Sequence, residues 1–107
     1  MVNVIVLVGK VKELPEVEVT SKGNVFAHML LECERSFRNE DGSISTDIFK
    51  VTLWRGIAEE CAAVCREGSL VAVKGRIKAE NYQKNDKLFY NYEIIAEKVS
   101  FLNNRMQ

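Results

Sequence analysis

Hydrophobic and polar side chains alternate with a period of two along most of this chain, which predicts β-strands that bury one face. The run 25–37 shows the pattern most clearly, because its odd positions from Val25 to Cys33 are apolar. Its even positions carry Phe26, His28, Leu30, Glu32 and Glu34. Residues 47–54 alternate in the same way, with Phe49, Val51 and Leu53 on one face and Ile48, Lys50, Thr52 and Trp54 on the other. Both segments are therefore predicted strands.

Three further segments are predicted strands. Residues 2–12 are dominated by β-branched and large apolar side chains, which favours a strand covered on both faces or lying at a subunit interface. Residues 69–82 alternate, with Val71, Val73, Gly75, Ile77 and Ala79 predicted to face inward and Lys74, Arg76, Lys78 and Tyr82 outward. Residues 88–102 form the last strand, and a hairpin connection at 83–87 joins it to the strand before.

The segment from Ile57 to Glu67 has a helical period instead. Its apolar residues recur at helical spacing, namely Ile57, Cys61, Val64 and Cys65. Glu59 and Glu60 are expected in the first turn and Arg66 near the end, which suits the helix dipole. Gly68 is expected to cap the helix in a left-handed conformation. Residues 38–46 are predicted to be a loop, because they are rich in Asn, Asp, Gly and Ser.

The predicted order is three strands, a helix and two strands. This is an all-β chain with one helix, and it matches a five-stranded barrel with the helix between strands 3 and 4, the OB fold. A small open sandwich is the alternative. The 107 residues suffice for one domain. We place that domain at 1–102 and expect a short frayed C-terminus at 103–107.

Composition limits the kinds of functional site that the chain can carry. Fifteen Lys+Arg balance fifteen Asp+Glu, so a nucleic-acid site would have to be a local patch, and residues 69–92 hold a local excess of basic side chains. Three cysteines without zinc-finger spacing favour a reducing, cytoplasmic setting, and no apolar run is long enough to cross a membrane. A single histidine and no nucleophile beside a base predict no enzyme, no catalytic residue, no cofactor and no metal site.

Short motifs also follow one another in a characteristic order. They are Leu7-Val8-Gly9-Lys10-Val11, Leu14-Pro15-Glu16, Arg35-Ser36-Phe37, Leu53-Trp54-Arg55, Ala58-Glu59 and Gly68-Ser69-Leu70-Val71. The ordered set covers residues 1–102 and resembles the bacterial single-stranded DNA-binding proteins, the SSB family. The resemblance implies an OB fold that coats single-stranded DNA without sequence preference in replication, recombination or repair, in the nucleoid-associated cytoplasm.

The resemblance also implies which residues bind DNA. Bases are expected to stack on Phe37, Trp54 and Tyr82, although a core position for Trp54 and a loop-stapling role for Phe37 are the alternatives. Phosphates are expected to meet six basic residues, namely Arg35, Lys50, Arg55, Lys74, Arg76 and Lys78. A fourth ring position of the family holds Ile48, and Tyr90 and Tyr92 are expected to add ring surface near Tyr82.

The apolar composition of the first strand predicts that the chain associates with copies of itself. Val2, Val4, Val6 and Val8 make it more apolar than one small barrel can cover, so we expect a homo-oligomer, with a tetramer favoured and a dimer possible. Tailed SSB proteins recruit partners through an acidic tip, whereas residues 103–107 carry only Arg105 as a charge, so tail-mediated recruitment is not expected. A domain trimmed from a longer chain, a protein-interaction or primosome-accessory barrel, and an RNA-binding barrel remain the alternatives.

Overall fold

Strands dominate the computed structural model, which describes residues 1–102. The strands within that range are β1 (Ile5–Glu13), β2 (Glu18–Val19), β3 (Val25–Arg38), β4 (Ile44–Trp54), β5 (Leu70–Lys84) and β6 (Lys87–Phe101), and the helix α1 spans Arg55–Val64. The predicted frayed end at 103–107 lies outside the described residues. No helix within 1–102 has the length and apolarity to cross a membrane, since α1 has ten residues.

The five long strands close into a barrel in the order β1-β5-β6-β4-β3, because β1 pairs with β5 through Lys10 and then with β3 from Lys10 onward. Gly9 stands at this transition. A Cβ there would collide with the backbone oxygen of Glu32, so only glycine lets β1 come this close to β3. The predicted OB barrel is thus confirmed and the open sandwich is wrong.

The position of the helix needs one correction. The two-residue strand β2 pairs with β3 at the outer edge of the sheet. When β2 is counted as a strand, α1 lies between β4 and β5. Among the five long strands it still follows the third and precedes the fourth, as predicted.

The core consists of the inward positions that the alternation predicts. Its fully buried members come from four strands and the helix, namely Val11, Ala27, Met29, Leu31, Val51, Leu53, Ala58, Cys61, Val71 and Val73. The helix α1 packs against β3, β4 and β6 and adds its apolar face to this core. Cys61 and Cys65 are both buried there, and a hydrogen bond with Cys65 together with burial raises the pKa of the Cys61 thiol.

The helix is shorter than its apolar period predicts and begins earlier. It starts at Arg55 and ends at Val64, so no acidic residue lies in its first turn and no basic residue in its last. Gly68 has the expected positive φ of 87° but does not cap the helix, because Cys65 already leaves it in an extended conformation. Its N–H instead donates to the carbonyl oxygen of Val11, 2.8 Å away, which brings the chain to the start of β5.

The strands β5 and β6 extend beyond the barrel as a two-stranded arm. They stay paired as far as Lys84 and Lys87, whereas β4 pairs with β6 only near residues 51–52. Within residues 1–102 β5 pairs only with β6 beyond Gly75, and Ile77 and Ala79 are exposed, so their predicted inward position is wrong. Asn85 and Asp86 both have positive φ and form the two-residue turn at its tip, within the predicted connection.

Candidate nucleic-acid interface

A cluster of aromatic rings lies on the outer face of β3 and β4. The register places Phe26 opposite Trp54 and His28 opposite Thr52. The ring centroids of Phe26 and Trp54 are 5.5 Å apart, and those of Phe26 and His28 are 5.6 Å apart. Trp54 is 36% exposed and lies outside the core, so the indole offers surface to solvent while Phe26 supports it. Sequence reasoning placed Phe26 on this face but not in the site.

A second ring pair lies on the arm. Tyr82 and Phe89 are directly opposite in the β5–β6 register, and their rings stack at 5.2 Å with an interplanar angle of 15°. Phe89 was missed from the sequence, although a two-residue turn at Asn85-Asp86 already places it opposite Tyr82. The pair leaves Tyr82 about half exposed. Phe89 therefore supports one side of the tyrosine ring.

Other predicted ring positions differ in their surroundings. Phe37 lies near the end of β3 and is largely exposed. Tyr90 and Tyr92 lie opposite Asn81 and Ala79, which places them on the other face of the arm from Tyr82. The expectation that they extend the Tyr82 surface is therefore wrong.

Two of the six basic residues that are predicted to contact phosphate are paired with carboxylates. Arg35 donates hydrogen bonds from Nε and Nη2 to the two carboxylate oxygens of Asp47, at 3.2 and 3.0 Å. These bonds lower the pKa of the Asp47 carboxyl and raise the pKa of Arg35. Arg76 lies 3.8 Å from a carboxylate oxygen of Glu97. A phosphate would have to compete with these acids.

The remaining predicted cations lie in three different places. Lys50 shares the outer face of β4 with Trp54, and Lys78 shares the β5 face of Tyr82. Lys74 lies opposite Val6 of β1 and Lys98 of β6, beside the exposed valines rather than the rings. Arg55 follows Trp54 directly at the start of α1.

Acidic side chains also line this face. Glu32 lies opposite Ile48 and forms an ion pair with Lys12, 3.9 Å away, so its charge is partly balanced. Glu93 accepts a hydrogen bond of 2.7 Å from Oγ1 of Thr52, whose side chain is buried. Residues 1–102 contain no group of three or more His, Cys, Asp or Glu side chains placed to hold a metal ion.

The outer face of β1 is apolar and exposed at its start, before Lys10 and Lys12. It carries Val6 and Val8 opposite Lys74 and Ala72 of β5, and Val2 and Val4 precede the strand. All four valines are at least half exposed within this chain. A contiguous exposed apolar surface of this kind is typical of protein–protein contacts.

Comparison with known proteins agrees with this geometry. The model of the single-strand binding protein family matches residues 2–102. Single-stranded DNA-binding protein B of Bacillus subtilis (strain 168) is 40% identical over 103 residues, which are 95% of this chain and 91% of that protein. Single-stranded DNA-binding protein 3 of Listeria innocua is 39% identical over 98% of this chain, and the chain spans 66% of that protein's length. A match over nearly all the described residues, with relatives at this identity, shows that the chain belongs to the single-strand binding protein family.

Proposed function

We propose that this protein binds single-stranded DNA without sequence preference, by stacking bases on exposed rings and contacting phosphates with nearby cations. One observation carries the proposal: the register places Trp54 with its Phe26 support, Lys50, Lys78 and Tyr82 along one outer face of the barrel and arm. The relatives are named for single-stranded DNA binding, which supports the same assignment.

Stacking accounts for a lack of sequence preference, because every base presents a π-face. Each stacked base contributes about 1–3 kcal/mol, whereas phosphate contacts depend on salt and carry no sequence information. The rings Phe37, Trp54 and Tyr82 supply the platforms in this proposal. Lys50, Arg55 and Lys78 supply phosphate contacts, with Arg35 and Arg76 available after exchange of their carboxylate partners.

Fluorescence titration tests the proposal directly, since Trp54 is the only tryptophan of the chain. Adding a dT oligomer at low salt is expected to quench the indole in a saturable way. An absence of quenching would favour the protein-interaction barrel. Equal affinity for a U oligomer of the same length would extend the proposal to RNA.

We further propose that several copies assemble, with four favoured over two, through the valine-bearing face of β1. The start of that face is apolar and exposed in the single chain, through Val6 and Val8 and through Val2 and Val4 before the strand. Assembly would bring several DNA-binding faces to one DNA strand. This would suit a protein that coats single-stranded DNA during replication, recombination or repair in the nucleoid-associated cytoplasm.

Asp47→Asn is expected to increase the affinity for a dT oligomer several-fold at low salt, because it releases Arg35 for phosphate. The slope of log K against log salt should steepen by about 0.7 for the added contact. Asp86→Asn is the matched control, since it removes the same charge at the arm tip without releasing an arginine. An equal gain in both variants would contradict the role of Arg35.

Arg55→Gly is expected to raise the free energy of unfolding by about 0.5–1 kcal/mol while weakening DNA binding. Arg55 has a φ of 54°. A non-glycine residue in the left-handed conformation lowers the free energy of unfolding by about 1–2 kcal/mol. Glycine removes this cost, but the larger conformational entropy of glycine in the unfolded chain offsets about half of the gain.

Arg55→Ala is the control for that prediction, because it removes the cation but keeps the left-handed backbone. Thermal unfolding and the dT titration should separate the two variants. Both should lose affinity equally, and only the glycine variant should gain stability. A glycine variant that is less stable than the wild type would contradict the strain at Arg55.

A further inference from the structure

An open cavity lies where β4 and β6 separate. The two strands run parallel and pair only through Val51 and Thr52 with Ile94 and Ile95, so the gap widens before these residues. The cavity measures about 510 Å³. Pockets that bind small molecules measure about 300–1,000 Å³, so this cavity has the size of a ligand site.

The walls of this β4–β6 cavity are almost entirely apolar. The apolar lining residues are Ile5, Ile48, Phe49, Ile77 and Ile94, and Lys50 and Tyr92 complete the lining. Tyr92 is 68% exposed, so its ring is available to a ligand. Lys50 contributes the one positive charge, and no carboxylate lines the cavity among residues 1–102.

A neighbouring cavity of about 360 Å³ shares Lys50 and Tyr92 but differs in charge. Its lining includes Glu80 and Glu93, which would repel a phosphate. Lys50 and Tyr92 therefore stand between an acidic cavity and an apolar one. A phosphate group would therefore meet less repulsion beside the apolar cavity than beside the acidic one.

We propose that the β4–β6 cavity is a nucleobase pocket, in which Tyr92 stacks on one base of bound single-stranded DNA while Lys50 contacts the adjacent phosphate. This inference rests on the proposed function. It assigns a binding role to Tyr92, which lies on the opposite face of the arm from Tyr82. In this proposal the bound DNA strand passes from the outer face of β4 into the gap beside β6.

The test compares Tyr92→Ala with Tyr90→Ala and Tyr92→Phe in titrations followed by Trp54 fluorescence. Tyr90 is the matched control, because it is a similarly exposed tyrosine on the same face of the arm and does not line the cavity. Tyr92→Ala is expected to bind a dT oligomer about tenfold more weakly than the wild type. Tyr90→Ala and Tyr92→Phe are expected to bind as the wild type does.

An abasic deoxyribose-phosphate oligomer of the same length separates stacking from other causes. Wild type and Tyr92→Ala should bind it equally, because it offers no base to the ring. Lys50→Met should weaken binding of both oligomers and reduce the salt slope by about 0.7.

Three results would overturn the pocket while leaving the proposed function intact: wild-type affinity of Tyr92→Ala for the dT oligomer, an equal loss in Tyr90→Ala, or the same loss on the abasic oligomer. An unchanged salt slope in Lys50→Met would overturn the phosphate contact. Failure of the wild type itself to bind the dT oligomer would instead overturn the proposed function and the pocket with it.

Discussion

Trp54→Ala is expected to lower the affinity for a dT oligomer by about 1–3 kcal/mol, which is roughly a 5- to 150-fold increase in Kd. The indole lies on the outer face of β4, and Phe26 supports it from β3 at a centroid distance of 5.5 Å. Because the ring is outside the core, its removal should leave the barrel folded. Filter binding or fluorescence anisotropy of a labelled oligomer measures the loss without using the tryptophan.

Two further variants separate stacking from packing. Trp54→Leu keeps apolar contact with Phe26 but removes the ring, whereas Trp54→Phe keeps a smaller ring. Stacking predicts a large loss for the leucine variant and a partial loss for the phenylalanine variant, with similar thermal stability in both. A barrel that unfolds in Trp54→Leu, with unchanged affinity per folded molecule, would show that the indole is a packing residue.

Val8→Glu is expected to convert the oligomer into monomers or smaller assemblies. Val8 lies on the exposed outer face of β1 directly opposite Ala72, and the nearest cations on that face, Lys10 and Lys74, are each displaced by two residues along their strands. In a symmetric contact the same carboxylate enters from both copies, and burying unpaired charge costs several kcal/mol. Sedimentation velocity at micromolar concentration measures the change.

Val19→Glu provides the control for self-association. Val19 is 63% exposed and Val8 is 51% exposed, so both substitutions place a carboxylate on an open surface. Val19 lies on β2 at the outer edge of β3, away from the β1 face. It should therefore keep the wild-type assembly. A wild-type protein that sediments as a 12.2 kDa monomer would show that the valine face has another role.

Period-two alternation predicted the strand faces well wherever the barrel covers one face. Met29, Leu31 and Leu53 are fully buried, as expected. The same rule was wrong at Ile77 and Ala79, because the arm continues beyond the barrel and no other strand within residues 1–102 pairs with β5 there. Alternation reports which residues share a face, whereas burial depends on what lies opposite that face.

The ring positions show the same division. The sequence predicted that Trp54 and Tyr82 lie among cations on a polar face, and both rings are exposed there. It did not identify Phe26 and Phe89 as their supports, because those contacts depend on the register between strands. The Arg35–Asp47 pair likewise depends on the pairing of β3 with β4, which brings together residues twelve positions apart.

Local pattern and the order of its motifs therefore determined the strands, their faces, the OB fold and the family. Helix bounds, ion pairs, ring supports and the β4–β6 cavity were decided by the tertiary structure. The cavity exists because two parallel strands pair briefly and then separate, which is a long-range property of barrel closure. No single segment of the sequence encodes the distance between Lys50 on one strand and Tyr92 on the other.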